Sequence, residues 1–410
     1  MRFYLLVCAA LAGCSSNLTD SAVIAPASRP AAGVGTAPAA DEPAPTAPDK
    51  PDVNTVIPAN PDPVPANSVT FVGRVVTGAA AGGVAAVFSW PGVSLGFRFA
   101  GTDLAVTLSE IPHVFGTNRG PHYFDVIIDG QRSAMPVAVE GTDAKAYKVA
   151  AQLATGEHTV WLVKRTSGMI GSIRYHGATP EGGGWLDAPA PKSRRLTVLG
   201  ASADCGYGAE ATNCRGYQSL QENQNKAWGQ LAADTLGADL HNISYAGKGI
   251  TINYTPMDDP VLTLPKTYPL ADPNGDDQAW DFSKWIPDVV VINAGRNDWD
   301  GNQKKAPNAS RFQAAYVALL DAIVMHAPKA HVYALLNPYV EEERRPVLKT
   351  YLQAAVAAEV AKGNAQVHFV ELPQLNAAES DYACDHHPSQ AMHQKMAEQM
   401  AAIIKDDLGW

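Results

Sequence analysis

The chain has 410 residues and a formal net charge of −10 at pH 7. That length has room for two domains. The acidic balance, with no basic cluster against it, argues against nucleic acid as a partner.

The opening Met1-Arg2-Phe3-Tyr4-Leu5-Leu6-Val7 carries one positive residue and then an apolar core. This is the pattern of a secretory signal, too short for a lasting membrane span. It runs into Leu11-Ala12-Gly13-Cys14, followed by Ser15-Ser16-Asn17. That run resembles a bacterial lipobox. The resemblance implies that residues 1–13 are removed and that Cys14 is lipidated, anchoring the chain to a membrane. Ser15 is not the aspartate that commonly retains lipoproteins in the inner membrane, so the resemblance points to the outer membrane, at its periplasmic face or the cell surface. Residues 14–67 are rich in Ala, Pro, Asp and Thr, and Pro43, Pro45, Pro48, Pro51, Pro58, Pro61, Pro63 and Pro65 interrupt any helix or ladder. Such a segment buries too little apolar surface to offset its chain entropy and reads as an extended tether.

Between residues 68 and 180 the texture changes. Val93–Phe99 and Leu104–Leu108 alternate with period two, and Tyr123–Ile128 runs into the hairpin signal Asp129-Gly130. Glu157–Val163 is a further strand. Short strands between glycine-rich turns predict a β-sandwich or jelly roll. His113, His122, His158 and His176 are scattered without metal-ligand spacing, so no metal site is expected there. Residues 181–194, with Gly182-Gly183-Gly184 and Ala188-Pro189-Ala190-Pro191, form a linker.

From 195 to 410 strand and helix patterns alternate. Strands are expected at Leu196–Leu199, Leu240–Tyr245, Pro287–Asn293, His331–Leu336 and Val367–Leu372. Helices are expected over Asn225–Leu236, over Ser310–His326 with Ser310 as cap, over Glu341–Lys362 and over Gln390–Leu408. This alternation predicts a three-layer α/β domain with a mostly parallel sheet, whose site lies at the C-terminal ends of the strands.

The loops at those ends hold Gly200-Ala201-Ser202, Ala246-Gly247-Lys248-Gly249, Gly295-Arg296-Asn297-Asp298 and Cys384-Asp385-His386-His387-Pro388. In this order they resemble the four blocks of the SGNH, or GDSL-type, hydrolase superfamily. With the strand-rich domain in front, and with Cys205-Gly206-Tyr207-Gly208 after the serine, the closer likeness is to carbohydrate esterase family two. The resemblance implies a serine esterase that removes O-acetyl groups from an acetylated polysaccharide such as xylan or glucomannan, with no metal or organic cofactor. A monomer is expected. A non-catalytic glycan-binding lipoprotein, or an esterase acting on peptidoglycan or exopolysaccharide, are the alternatives.

Ser202 matches the family nucleophile, which needs an adjacent base because an alcohol is unreactive at neutral pH. His387 matches that base, since imidazole titrates near neutrality; its pairing with Pro388 favours it over His386. The oxyanion donors implied are the N–H of Ser202, the N–H of Gly247 and the side-chain amide of Asn297. Asp298 fixes its loop rather than reacting. Two departures stand out. Ala201 replaces an aspartate found in most relatives, and Cys384 stands where the usual acid lies, three residues before the base. Asp385 is the nearest carboxylate; either it orients the imidazole, or a backbone carbonyl does so and leaves a Ser-His dyad. Of Cys205, Cys214 and Cys384, the short-range pair Cys205–Cys214 is the expected disulfide, with Cys205–Cys384 as the alternative. Among the loop aromatics, Trp299 is the candidate for stacking on a sugar ring.

Overall fold

The computed structural model describes residues 68–80, 83–113, 120–254, 262–275, 278–299, 306–374 and 381–410. The secretory signal, Cys14 and the proline-rich tether lie outside the described residues. Those described belong to one compact unit.

The chain enters through β1 (Val69–Val72), β2 (Val76–Ala80), β3 (Gly83–Phe88), β4 (Ser94–Gly101), β5 (Asp103–Pro112) and β6 (His122–Ile128). It continues through β7 (Gln131–Arg132), β8 (Val137–Val139), β9 (Lys145–Ala150), β10 (Gly156–Lys164), β11 (Gly171–Glu181) and β12 (Gly184–Trp185). One sheet runs β1-β4-β10-β6-β7, with β12 on β4 and β8 on β6; the other runs β2-β3-β11-β5-β9. All these pairings are antiparallel, as a sandwich built from hairpins requires. Period-two alternation sends Leu95, Phe97 and Phe99 of one sheet and Leu104, Val106 and Leu108 of the other into a shared buried core. The Asp129-Gly130 turn has φ of 49° and 81°, the left-handed pair that a tight two-residue hairpin demands.

The second domain alternates β13 (Arg194–Gly200), α1 (Trp228–Leu236), β14 (Ala238–Ser244), α2 (Leu264–Thr267), β15 (Val289–Ile292), α3 (Ala309–His326), β16 (His331–Leu336), α4 (Arg345–Ala361), β17 (Val367–Glu371) and α5 (Gln390–Leu408). Its sheet order is β14-β13-β15-β16-β17, and every pairing is parallel. The continuous apolar runs follow from burial on both faces. Val289 and Val291 pack with α1 and α5, while Val290 and Ile292 pack with α3 and α4. Three helix starts differ from the sequence reading, α4 among them, which begins at Arg345 and not at Glu341. The stretch before α1 is a 3-10 turn over Gln224–Lys226, so the helix starts at Trp228. The cap of α3 is Asn308, whose Oδ1 accepts the Arg311 N–H at 2.9 Å; Ser310 is already inside the helix.

The two domains are joined by buried polar contacts as well as by a continuous apolar core. The Arg74 guanidinium donates to the carbonyls of Tyr268 and Leu270 and lies over the rings of Tyr268, Trp280 and Phe282 at 5.2–5.4 Å. Trp90 Nε1–H donates to Ala271 O at 2.8 Å. Ser89 and Ser172 of the sandwich donate to the two carboxylate oxygens of Asp272, at 2.6 and 2.9 Å.

Candidate active site

Ser202 stands two residues beyond the end of β13, in a turn braced from inside the protein. The brace is Asp204. Its buried carboxylate accepts the Ala201 N–H at 2.9 Å, the Trp228 Nε1–H at 2.8 Å and an N–H of the Asn293 amide at 2.8 Å. Gly200 makes room for it, because a Cβ there would lie 2.1 Å from Asp204 Oδ2. The Asn293 amide also donates to Tyr339 Oη at 2.8 Å, and the Asn337 amide donates to Asn293 Oδ1 at 2.7 Å. Asn293 and Asn337 follow β15 and β16 directly, so strand ends supply the polar floor. Burial pushes the Asp204 carboxyl up to about 6, against the opposing pull of its N–H donors. The turn that lacks a carboxylate at Ala201 thus receives one from Asp204, three residues on.

His387 reaches the serine from the segment before α5. Its Nε2 lies 2.7 Å from Ser202 Oγ. Its Nδ1 faces two backbone carbonyls, Cys384 O and Asp385 O, each at 3.1 Å. Carbonyls only accept, so Nδ1 carries the proton and Nε2 is left as the acceptor for the serine hydroxyl. Asp385 and His386 have φ of 54° and 55°, and this left-handed pair turns the backbone so that it faces the ring. The Asp385 carboxylate is elsewhere, accepting from the Tyr207 hydroxyl at 2.7 Å. Of the two arrangements open from sequence, the structure has the carbonyl-held dyad, because this tight turn puts the main chain and not the side chain beside Nδ1. Tyr207, in the Cys205-Gly206-Tyr207-Gly208 block after the serine, packs its ring 4.4 Å from that of His387. Burial lowers the imidazole to about 4, with the charge of Arg296 acting the same way, so it is neutral at pH 7.

The loop after β15 brings Asn297 to the same pocket as Ser202 and His387. Its amide gives one N–H to Lys248 O at 2.9 Å. Gly247 precedes that lysine with φ of 81°, a conformation that a side chain would strain. Asp298 faces inward, accepting the N–H groups of Ile250 and Thr251 at 2.8 and 2.6 Å and the Thr251 hydroxyl at 2.6 Å. It ties the loop after β14 to the loop after β15. Lys248 and Arg296 also line the pocket. Arg296 is held by Glu341 at 2.7 Å; its only sequence signal was its place beside Asn297.

Two expectations are corrected. The disulfide joins Cys214 to Cys384, 170 residues apart, and Cys205 is a buried free thiol. Cys205 lies inside the turn after the serine, while the following loop runs outward and passes Ala383 beside Gly208. Hence the cross-link ties the loop after the serine to the segment that carries His387. Trp299 is not a sugar platform, since it is only 3% exposed and belongs to the main apolar core. The 3-10 turn Arg296–Asp298 carries the chain from the pocket back into the interior at this point.

A parallel sheet with serine, glycine, asparagine and histidine on its C-terminal loops, behind a β-sandwich, defines a two-domain hydrolase of the SGNH type. Residues 198–395 match the GDSL-like lipase/acylhydrolase family, and residues 71–189 match the carbohydrate esterase 2 N-terminal family. A family two carbohydrate esterase from Clostridium thermocellum, solved in complex with cellohexaose, superposes with a TM-score of 0.75 at 30% identity, over 83% of this chain and 99% of that one. The chain belongs to carbohydrate esterase family two. It is 32% identical over 325 residues to a cellulase/esterase of Acetivibrio thermocellus, covering 78% of this chain but only 38% of that protein. It is 26% identical over 338 residues to an acetylxylan esterase / glucomannan deacetylase of Cellvibrio japonicus, covering 80% and 87%.

Proposed function

We propose that this protein is a serine esterase that removes O-acetyl groups from a polysaccharide of the xylan or glucomannan class. The observation that carries the reading is the 2.7 Å contact between Ser202 Oγ and an imidazole nitrogen freed to accept by the carbonyls on Nδ1. In the first step Ser202 Oγ attacks the acetyl carbonyl while His387 Nε2 takes the hydroxyl proton. The oxyanion is held by the N–H groups of Ser202 and Gly247 and by the second N–H of the Asn297 amide. Collapse releases the sugar hydroxyl, which receives the proton from His387, and leaves acetyl-Ser202. Water then attacks with His387 again as base, and acetate departs. A small, polar-lined pocket suits a short acyl group. The related proteins named as acetylxylan esterase / glucomannan deacetylase support the choice of substrate.

The lipobox-like Leu11-Ala12-Gly13-Cys14 supports export and lipid anchoring through Cys14, with the tether holding the enzyme away from an outer membrane. Metabolic labelling with a fatty-acid analogue tests this, and labelling that persists in Cys14→Ser would defeat it.

For the activity, acetate release from acetylated xylan and from an aryl acetate is compared between the parent and Ser202→Ala. The variant is expected to lose activity by at least about 10⁴-fold, with its fold unchanged by circular dichroism. A parent inactive on both substrates would instead support a glycan-binding protein built on the same fold.

A further inference from the structure

We propose that His331, His368 and Asp407 form a binding site for a divalent first-row transition cation of the Zn²⁺ class, at the end of the parallel sheet opposite Ser202. One ligand atom from each residue lies within 4.8 Å of the other two. The fold dictates the meeting. His331 opens β16 and Tyr333 follows it on the same face two residues later, while Tyr333 pairs with His368 on β17. The two histidines are therefore diagonal neighbours on one face, and their rings stack at 5.3 Å. The same face is covered by α5, whose last turn carries Asp407.

Two features distinguish the cluster from a chance meeting of polar side chains. His331 Nδ1 and His368 Nε2 are buried and have no hydrogen-bond partner, which leaves both lone pairs open to a ligand. The carboxylate is also oriented, because Tyr333 donates its hydroxyl to Asp407 Oδ2 at 2.7 Å. A phenol behind a ligating carboxylate is the kind of outer support that metal sites use. Two imidazoles and a carboxylate suit Zn²⁺, with water as the fourth ligand, and disfavour hard cations such as Ca²⁺. Tetrahedral zinc with bonds of about 2.0–2.1 Å needs donors roughly 3.4 Å apart. Closing from within 4.8 Å to that spacing requires a small shift of the exposed Asp407 side chain, with Oδ2 kept on the Tyr333 hydroxyl.

The site would act on the fold rather than on the chemistry. Helix α5 begins at Gln390, three residues after His387, and its far end holds Asp407. A cation clamped between Asp407 and the strands pins the helix that follows the base.

The test is calorimetric titration of the chelator-treated full chain with Zn²⁺ and, separately, with Ca²⁺, together with melting curves. One Zn²⁺ per chain is expected, with a raised Tm, and no Ca²⁺. Affinity should fall roughly 100-fold or more in both His368→Ala and Asp407→Asn, and the Tm gain should vanish. His387→Ala should still bind Zn²⁺, which separates this site from the serine site. Asp407→Asn retains an acceptor for Tyr333 and decides the matter if His368→Ala fails to fold. Absence of saturable Zn²⁺ binding overturns the proposal, as does binding that survives in Asp407→Asn. Neither result bears on the esterase reading, because esterase activity is expected to be unchanged in Asp407→Asn.

Discussion

Beneath Ser202, one buried carboxylate is surrounded by neutral donors: a main-chain N–H, an indole and an amide. At the seam between the domains, several charges are buried together. Lys164 Nζ donates to Thr166 O and to Ser167 O, Glu222 accepts the Ser167 N–H at 2.9 Å, and Asp272 accepts two serine hydroxyls. Burial acts on both places in the same sense, raising Asp204, Glu222 and Asp272 and lowering Lys164 to about 7. What differs is what the hydrogen bonds hold. At the seam, the bonds to Glu222 and Asp272 run between elements far apart in sequence and hold two domains together. Those around Asp204 hold one turn against the end of β15 and the start of α1, and that turn carries the serine. Disturbing the seam should change stability and leave turnover alone; disturbing the floor should do the reverse.

The largest contrast is expected from Asp204→Asn, which turns an acceptor oxygen into a donor facing other donors. We predict a fall in kcat of about 100-fold with KM nearly unchanged, read from steady-state kinetics on an aryl acetate. A loss confined to Tm would place Asp204 with the seam residues. Next comes Arg74→Ala, which leaves the Tyr268 and Leu270 carbonyls without their donor and removes a stacked cation. Urea unfolding should show a loss of about 2–4 kcal/mol, with kcat of the folded protein retained.

A smaller effect is expected from Asp385→Asn. Because carbonyls and not this carboxylate face Nδ1, kcat should change by less than about tenfold, whereas loss of a true triad acid costs on the order of 10⁴-fold. A drop of that size would show that the carboxylate swings onto the imidazole during turnover. The smallest effect is a displaced pH profile. His387 is lowered from 6.5 to about 4, so the acid limb of kcat/KM should lie near pH 4 rather than near 6.5. The sign for stability agrees. Between these pH values the unfolded chain binds the proton that the folded chain refuses, so the His387 contribution is complete above pH 6.5 and is lost as pH falls towards 4. Arg296→Gln should move the limb upward, since the Arg296 charge is part of the cause.

Much of the architecture was legible in the sequence because it rests on local pattern. Period two marked the sandwich strands, and strand–helix alternation marked the parallel domain, with β16 and α5 at the residues expected. Ser202, Gly247, Asn297 and His387 are proposed from the loops they occupy, since a parallel sheet gathers the C-terminal ends of its strands. Other features have no local signature. Which cysteine pairs with Cys384 depends on where a loop 170 residues away runs, and Cys205 is excluded by facing inward. Trp299 reads as a loop aromatic until packing buries it. The partner of His387 Nδ1 is set by two left-handed residues that no composition announces. Asp204 looks like any turn aspartate until Trp228 and Asn293 converge on it. Periodicity and turn chemistry act between near neighbours and so can be read along the chain. Disulfide pairing, burial and the choice of a hydrogen-bond partner depend on contacts between distant segments, and those exist only once the chain has packed.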